Sequence, residues 1–226
     1  MQEAAKSKNS KIVLALDFPF EAAENRDKLL AKAQKVLKAV HPYVCAVKIN
    51  HHLTLPLGLF DGVQGLVEQI HSEGMIAIMD AKVNDIGKTN QVIAEYYLAA
   101  GFDAIIANPF VGWEEGLKPL FDVSRKLDRG VILLTYMSHK GAIEGYGQQV
   151  VNPETSHQTS QYLSFARKAL KWGADGVVVG ATVPEKIKEV KTILGNQVPI
   201  YSPGVGAQGG AAEIAVKAGA NYLIVG

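Results

Sequence analysis

Residues 75–82 read Met75-Ile76-Ala77-Ile78-Met79-Asp80-Ala81-Lys82. The run is apolar from its first residue through Met79, with no polar alternation. A parallel strand buried on both faces reads this way. Seven other segments share the character, starting near Ile12 (IVLALD), Val44 (VCAVKIN), Ala104 (AIIANP), Val131 (VILLTYMS), Gly176 (GVVVGAT), Pro199 (PIYSPGVG) and Tyr222 (YLIVG). Amphipathic patterns separate them, among them Arg26–Val40, Gly87–Ala100, Trp113–Leu127 and Tyr162–Trp172. Gly74, Gly101, Gly130, Gly173 and Gly219 stand where helix C-caps are expected.

Eight strands with helical crossovers predict an α/β fold, a (β/α)8 TIM barrel, with a doubly wound open sheet as the alternative. Successive strand starts lie 23–32 residues apart, a regular rhythm that favours closure. The exception is the 45-residue interval after the fifth strand, where 139–155 carry Gly141, Gly145 and Gly147. It lengthens a loop at the C-terminal face, where barrel enzymes keep their chemistry. Residues 1–10 are polar and are read as a disordered tail, with 11–226 as a single barrel domain. The eighth strand stops at Gly226 with the final helix absent. A bare seam exposes an apolar strip, so the expectation is that the sequence in hand is incomplete.

The 226 residues are 48% hydrophobic, ample for one large core, which excludes a disordered polyelectrolyte. Lys+Arg (23) and Asp+Glu (22) nearly cancel, so no global field points to nucleic acid or an anionic membrane. The longest apolar runs are too short to span a bilayer, and the opening MQEAAKSKNSK has no secretory apolar stretch. The single cysteine, Cys45, forbids an internal disulfide and sits in Val44-Cys45-Ala46-Val47, which reads as core. These features point to a cytoplasmic protein. His51-His52 lacks a spaced third ligand, and His41, His71 and His157 lie on or near helices, so no metal site is expected. Trp113 and Trp172 sit at helical spacing and read as packing residues.

The charges are what a buried strand does not need. A period of two puts Ile76, Ile78, Asp80 and Lys82 on one face, at the C-terminal end of the third strand. Asp85 follows at the turn into the next helix, Lys48 ends the second strand in Val47-Lys48-Ile49, and Asp17 ends the first in Leu16-Asp17. Rim salt bridges are the plainer reading. Desolvating each ion, however, costs roughly several kcal/mol unless it is well paired. An alternating Lys/Asp array also shifts proton affinities, keeping a charged lysine ready to give up a proton.

A second constellation, Pro203-Gly204-Val205-Gly206-Ala207-Gln208-Gly209-Gly210, follows the seventh strand. Glycines let backbone amides approach an anion, and barrels often bind phosphate in the loops after strands seven and eight. Ser138 ends the fifth strand with its hydroxyl available to a ligand. Thr89, in the first turn after Asp85, either caps the helix or touches ligand.

The stretch Asp80-Ala-Lys82-Val-Asn-Asp85-Ile86 matches the D-x-K-x-x-D-I signature of orotidine 5′-phosphate decarboxylases, and the chain resembles that family from Lys11 to Gly226. Leu16-Asp17, Val47-Lys48, Met137-Ser138-His139 and the loop 203–210 occur in the matching order, and the likeness is to the compact, archaeal-type form. The resemblance implies a homodimer of ribulose-phosphate-binding-type barrels that converts orotidine 5′-monophosphate to UMP and CO2 without metal or organic cofactor. It implies that Lys82 stabilises and protonates a carbanion at C6 of the pyrimidine. Asp80 would sit beside the scissile carboxylate, Lys48 would link the ribose to the array, and Asp85 would reach across into the partner's site. Asp17 and Thr89 would lie near the ribose and Ser138 at the pyrimidine edge. Gln208 would bridge base and phosphate, with Pro203, Gly204, Val205, Gly206 and Gly226 at the phosphate end. The family's phosphate-binding arginine follows the glycine that corresponds to Gly226, beyond the last residue here. Two alternatives are a Mg2+-dependent sugar-phosphate decarboxylase or aldolase on the same barrel and a nucleotide-binding non-enzyme. The first also carries D-x-K-x-x-D but has an acidic residue in place of Lys48.

Overall fold

Runs of Val, Ile, Leu and Ala with no polar alternation form the strands of a closed barrel, buried at every position in Ala104–Ala107 and Gly176–Val179 and at alternate positions in Tyr222–Val225. The computed structural model describes every residue except 20–24, 152–155 and 207–208. In chain order the first elements are α1 (Gln2–Ser7), β1 (Ile12–Leu16), α2 (Arg26–Val40), β2 (Ala46–Asn50) and α3 (His51–Leu57). A π-helical turn, Gly58–Val63, leads into α4 (Gln64–Ser72), β3 (Ile76–Val83), α5 (Gly87–Ala99), β4 (Ala104–Ala107) and α6 (Lys118–Lys126). Then come β5 (Gly130–Tyr136), α7 (Ala142–Gly145), β6 (Gln149–Val151), β7 (Gln158–Ser160), α8 (Gln161–Trp172) and β8 (Gly176–Val179). The last are α9 (Pro184–Leu194), β9 (Ile200–Pro203), α10 (Ala212–Ala218) and β10 (Tyr222–Val225). The barrel order is β1-β10-β9-β8-β5-β4-β3-β2, with β6 and β7 as a separate pair.

The chain divides into two compact units, Met1–Ala107 with Val111–Gly130 and Gly226, and Asn108–Phe110 with Val131–Val225. In the first unit β1 pairs in parallel with β2, β2 with β3 and β3 with β4. Helix α2 forms as its pattern demands. Leu29, Ala33 and Leu37 fall four residues apart on one buried stripe, and Asn25 accepts a hydrogen bond from the Asp27 amide at 2.6 Å as N-cap. Cys45 is fully buried, and its Sγ donates to the Ile12 carbonyl at 3.3 Å. In the second unit β5 pairs in parallel with β8, β8 with β9 and β9 with β10. Helix α8 ends at Gly173, whose φ of 67° and ψ of 48° suit a residue without Cβ.

One device recurs at the start of three strands. The Asp103 amide donates to the Ala77 carbonyl at 2.9 Å while its Oδ2 accepts from the Ala77 amide at 2.9 Å. Asp175 grips Val131 in the same way, at 2.9 and 2.8 Å, and Asn221 grips Ile200 at 2.9 and 2.9 Å. Each clamp satisfies both backbone groups of the neighbouring strand's residue, groups that would otherwise be orphaned at the barrel's rim. All three follow a glycine by two residues, as Gly101-Phe-Asp103, Gly173-Ala-Asp175 and Gly219-Ala-Asn221.

Several expectations are corrected. The polar start holds α1, which buries Ala4, in place of a disordered tail. Gly130 opens β5 and is no C-cap; Asp128 takes the left-handed position before it, with φ of 54°. Regular helix begins at Lys118 and not at Trp113, because Glu114 (ψ 130°) and Glu115 (φ 53°) kink the segment Trp113–Leu117. The long interval after β5 holds α7 and an antiparallel pairing of Gln149 with Ser160 and Val151 with Gln158. Strands of three residues are too short to leave a periodicity to read. Among the described residues no helix is long and apolar enough to cross a membrane.

Candidate active site

The charged residues of the first unit sit where β2 and β3 end. Register pairs Lys48 with Ile78 and Asn50 with Asp80, so Lys48 and Asp80 stand two rungs apart on adjacent strands. Lys48 Nζ donates to Asp80 Oδ2 at 2.8 Å, and Lys82 Nζ donates to Asp80 Oδ1 at 2.7 Å. Asp80 and Lys48 are buried, whereas the Lys82 side chain is 39% exposed. Burial alone would raise the Asp80 carboxyl. The ammonium groups of Lys48 and Lys82 outweigh it and hold the group below the usual carboxylate range.

Simple alternation does not deliver Lys82. The β3–β4 register shifts between Met79 and Val83, and Lys82 adopts φ of 48°, the left-handed region. A lysine there is strained, and strain of this kind gathers where function fixes a side chain.

The five charges do not form one array. A single carboxylate, Asp80, bridges two lysines. Asp85 is exposed, its Oδ1 accepting from the Ile86 amide at 2.7 Å. Asp17 is half-buried, with its carbonyl accepting from His52 Nδ1 at 3.1 Å. Among the described residues neither carboxylate is ion-paired. A Cβ placed on Gly226 would lie 3.1 Å from Asp17 Oδ1, so these two sequence-predicted residues are neighbours. Thr89 is exposed and caps nothing; Ile86 is the N-cap of α5, with no side-chain bond.

In the second unit the backbone of Ser138 is held closely. A Cβ on Gly180 would stand 2.6 Å from Ser138 Cα, and Thr182 Oγ1 donates to the Ser138 carbonyl at 2.8 Å. The loop after β9 latches onto itself. Gly210 N donates to Gly204 O at 3.0 Å, Gly206 N to Gly210 O at 3.0 Å and Gly209 N to Gly206 O at 2.8 Å. Gly204 and Gly206 have φ of 91° and 80°, which Pro203 and Val205 could not supply. Three loop amides are therefore spent internally, which narrows the anion cradle the glycines predicted. Gln208 lies outside the described residues.

Sequence reading missed Asn90, Gly180 and Thr182. Asn90 left a signal: it falls on the stripe Gly87, Asn90, Ala94 and Leu98 that α5 buries, a polar residue on an apolar face. Among the described residues no group of three or more His, Cys, Asp or Glu side chains is arranged to hold a metal ion.

Comparison with known proteins adds a decisive observation. The sequence model of the Orotidine 5'-phosphate decarboxylase / HUMPS family matches residues 10–226. The chain belongs to that family. Among orotidine 5'-phosphate decarboxylases, the Methanosarcina barkeri protein is 34% identical over 219 residues, spanning 97% of this chain and 86% of that one. The Methanocaldococcus jannaschii protein is 36% identical over 218 residues, spanning 96% and 89%. The crystal structure of orotidine 5'-monophosphate decarboxylase from Methanocaldococcus jannaschii, complexed with the inhibitor BMP, superposes with a TM-score of 0.77 at 34% identity, covering 96% of this chain and 89% of that one. The Pyrococcus horikoshii enzyme gives 0.73 at 33% identity, covering 95% and 88%. The barrel and the family expected from the sequence are both borne out.

Proposed function

We propose that this protein decarboxylates orotidine 5′-monophosphate to UMP and CO2, with Lys82 as the proton donor. The observation that carries the reading is the Lys48–Asp80–Lys82 bridge, with both ammonium groups on one buried carboxylate at 2.8 and 2.7 Å. Loss of CO2 leaves an electron pair on C6 in the plane of the pyrimidine, where no π-system accepts it. Stabilisation must then come from a fixed nearby cation. Asp80, anionic because two lysines hold it so, aims the Lys82 ammonium through their 2.7 Å hydrogen bond. As CO2 departs, a proton passes from Lys82 Nζ to C6, and the amine regains one from solvent, to which its side chain is 39% open.

Lys48 serves the array as the cation that lets Asp80 stay buried and charged. Ser138 is assigned to the pyrimidine edge, Asp17 and Thr89 to the ribose. Pro203, Gly204, Val205, Gly206 and Gly226 are assigned to the phosphate end, with Gln208 assigned to bridge base and phosphate. Binding energy from that remote phosphate is then available at the reacting carbon. The sister sugar-phosphate enzymes need an anionic ligand where this chain has Lys48, and a buried ammonium repels a divalent metal.

We place Asp85 in the site of a second copy, as a homodimer requires. Support comes from exposed apolar side chains of the first unit, Leu55, Phe60, Ile86 and Tyr96, with Phe60 and Tyr96 in edge contact at 6.1 Å and Ile86 next to Asp85. A surface of this kind asks to be covered.

The test is decarboxylation of orotidine 5′-monophosphate with chelator present, followed by the loss of orotate absorbance, beside Lys82→Ala. Turnover that vanishes in the variant, while UMP still binds, is expected. Dependence on added Mg2+, or near-normal turnover by Lys82→Ala, overturns the reading. Sedimentation of the native protein checks the dimer.

A further inference from the structure

Asn90 is fully buried, and every polar group of its side chain is used. Its Oδ1 accepts from the Asp85 amide at 3.1 Å, and its Nδ2 donates to the Asp85 carbonyl at 2.5 Å and to the Gly116 carbonyl at 2.9 Å. One carboxamide thus holds both backbone groups of Asp85 and ties them to a second turn. Both flanking segments are strained, since Lys82 and Glu115 have φ of 48° and 53°. Such backbones persist only where their surroundings over-determine them. The two turns are also pressed together. A Cβ on Gly87 would lie 2.9 Å from the carbonyl carbon and oxygen of Glu115, so only glycine fits there. The Asp85 carboxylate is in turn fixed to this backbone through the Ile86 amide, at 2.7 Å.

We infer that Asn90 is a positioning residue, which locks the Asp85 turn against the Glu115–Gly116 turn and thereby sets where the Asp85 carboxylate stands. The inference rests on the reading of Asp85 given above. Asn90 touches no substrate in this scheme. It acts only through Asp85, and displacement of a reacting group by about 1 Å costs on the order of 100-fold in rate.

The test is a double-mutant cycle on kcat for orotidine 5′-monophosphate, with Asn90→Ala, Asp85→Asn and the pair. Asn90→Ala is expected to lower kcat by roughly 100-fold while UMP affinity is little changed. In the Asp85→Asn background it should add almost nothing. Losses that multiply, or an Asn90→Ala defect where Asp85→Asn has none, overturn the inference. Amide exchange gives a second, activity-free readout. Residues 84–90 should exchange faster in Asn90→Ala while 76–80 keep their protection, and uniform acceleration overturns the positioning role. If Asn90→Ala fails to fold, Asn90→Asp, isosteric and still an acceptor for the Asp85 amide, takes its place in both measurements. A wild-type protein without decarboxylase activity would sink the functional reading, and the exchange result would then decide on Asn90 alone.

Discussion

Lys82 Nζ stands 2.7 Å from Asp80 Oδ1, although the strand loses its register between them and Lys82 itself takes φ of 48°. The ion pair is therefore made from a left-handed backbone that the surrounding chain must hold in place. In an ordinary strand Lys82 would have no strain to hold, and its long side chain would sample solvent. Here the strained backbone and the buried carboxylate fix the ammonium together.

Replacing Lys82 separates catalysis from stability. Lys82→Gly should be more stable than Lys82→Ala by roughly 1 kcal/mol, because left-handed backbone costs a residue with Cβ about 1–2 kcal/mol and glycine returns part of that in unfolded-chain entropy. Equilibrium urea unfolding of the two inactive variants measures it. The opposite order would place the strain elsewhere.

Asp80 behaves differently from its partner. Asp80→Asn leaves Lys48 buried with its countercharge removed and should cost about 3–5 kcal/mol. Lys82→Ala removes a cation that is more than a third exposed and should cost little. The pH dependence follows from the lowered Asp80 carboxyl. Its contribution is complete above the ordinary aspartate range near about pH 4 and is lost as pH falls through the lower folded-state value. Unfolding free energies of wild type and Asp80→Asn, taken from pH 6 downward, should therefore converge only at the acid end. Convergence near neutrality would contradict the assignment.

The strand clamps predict a stability effect without a catalytic one. Asp175→Ala strands the Val131 amide and should cost about 1–3 kcal/mol. Asp175→Asn should retain most of the stability, since Asn221 makes the same clamp on Ile200 with an amide oxygen. Thermal melting reads the difference, and kcat should be unchanged in both variants.

Gly180 should matter to the substrate more than Ser138 does. Gly180→Ala drives a methyl group to within 2.6 Å of Ser138 Cα and must displace the backbone there. Ser138→Ala removes one hydroxyl from an undisturbed chain. A larger fall in kcat/KM for Gly180→Ala is expected, and steady-state kinetics on orotidine 5′-monophosphate checks the order.

These residues also mark how far the sequence can be read. The barrel was legible because burial on both faces writes itself as unbroken apolar runs, and β3 is the plainest of them. The Lys48–Asp80–Lys82 bridge was legible because charges at the ends of such runs have no structural excuse. The left-handed Lys82 was not, since nothing in a lysine announces its φ. The tie from Asn90 to Gly116 joins residues 26 apart and exists only once β4 and the kinked turn after it are in place. The β6–β7 pair was hidden for a different reason: each strand is three residues long and takes its shape from its partner.

The single thiol offers a last consequence. Cys45 lies fully buried at the entry to β2, its Sγ donating to the Ile12 carbonyl, and burial pushes its ionisation up more than the hydrogen bond with its own backbone lowers it. A protonated, covered sulfur does not react with alkylating reagents. Modification must therefore wait until β1 and β2 part, so the rate of labelling counts how often the first seam of the barrel opens. The molecule carries its own clock for that event, needing no added dye.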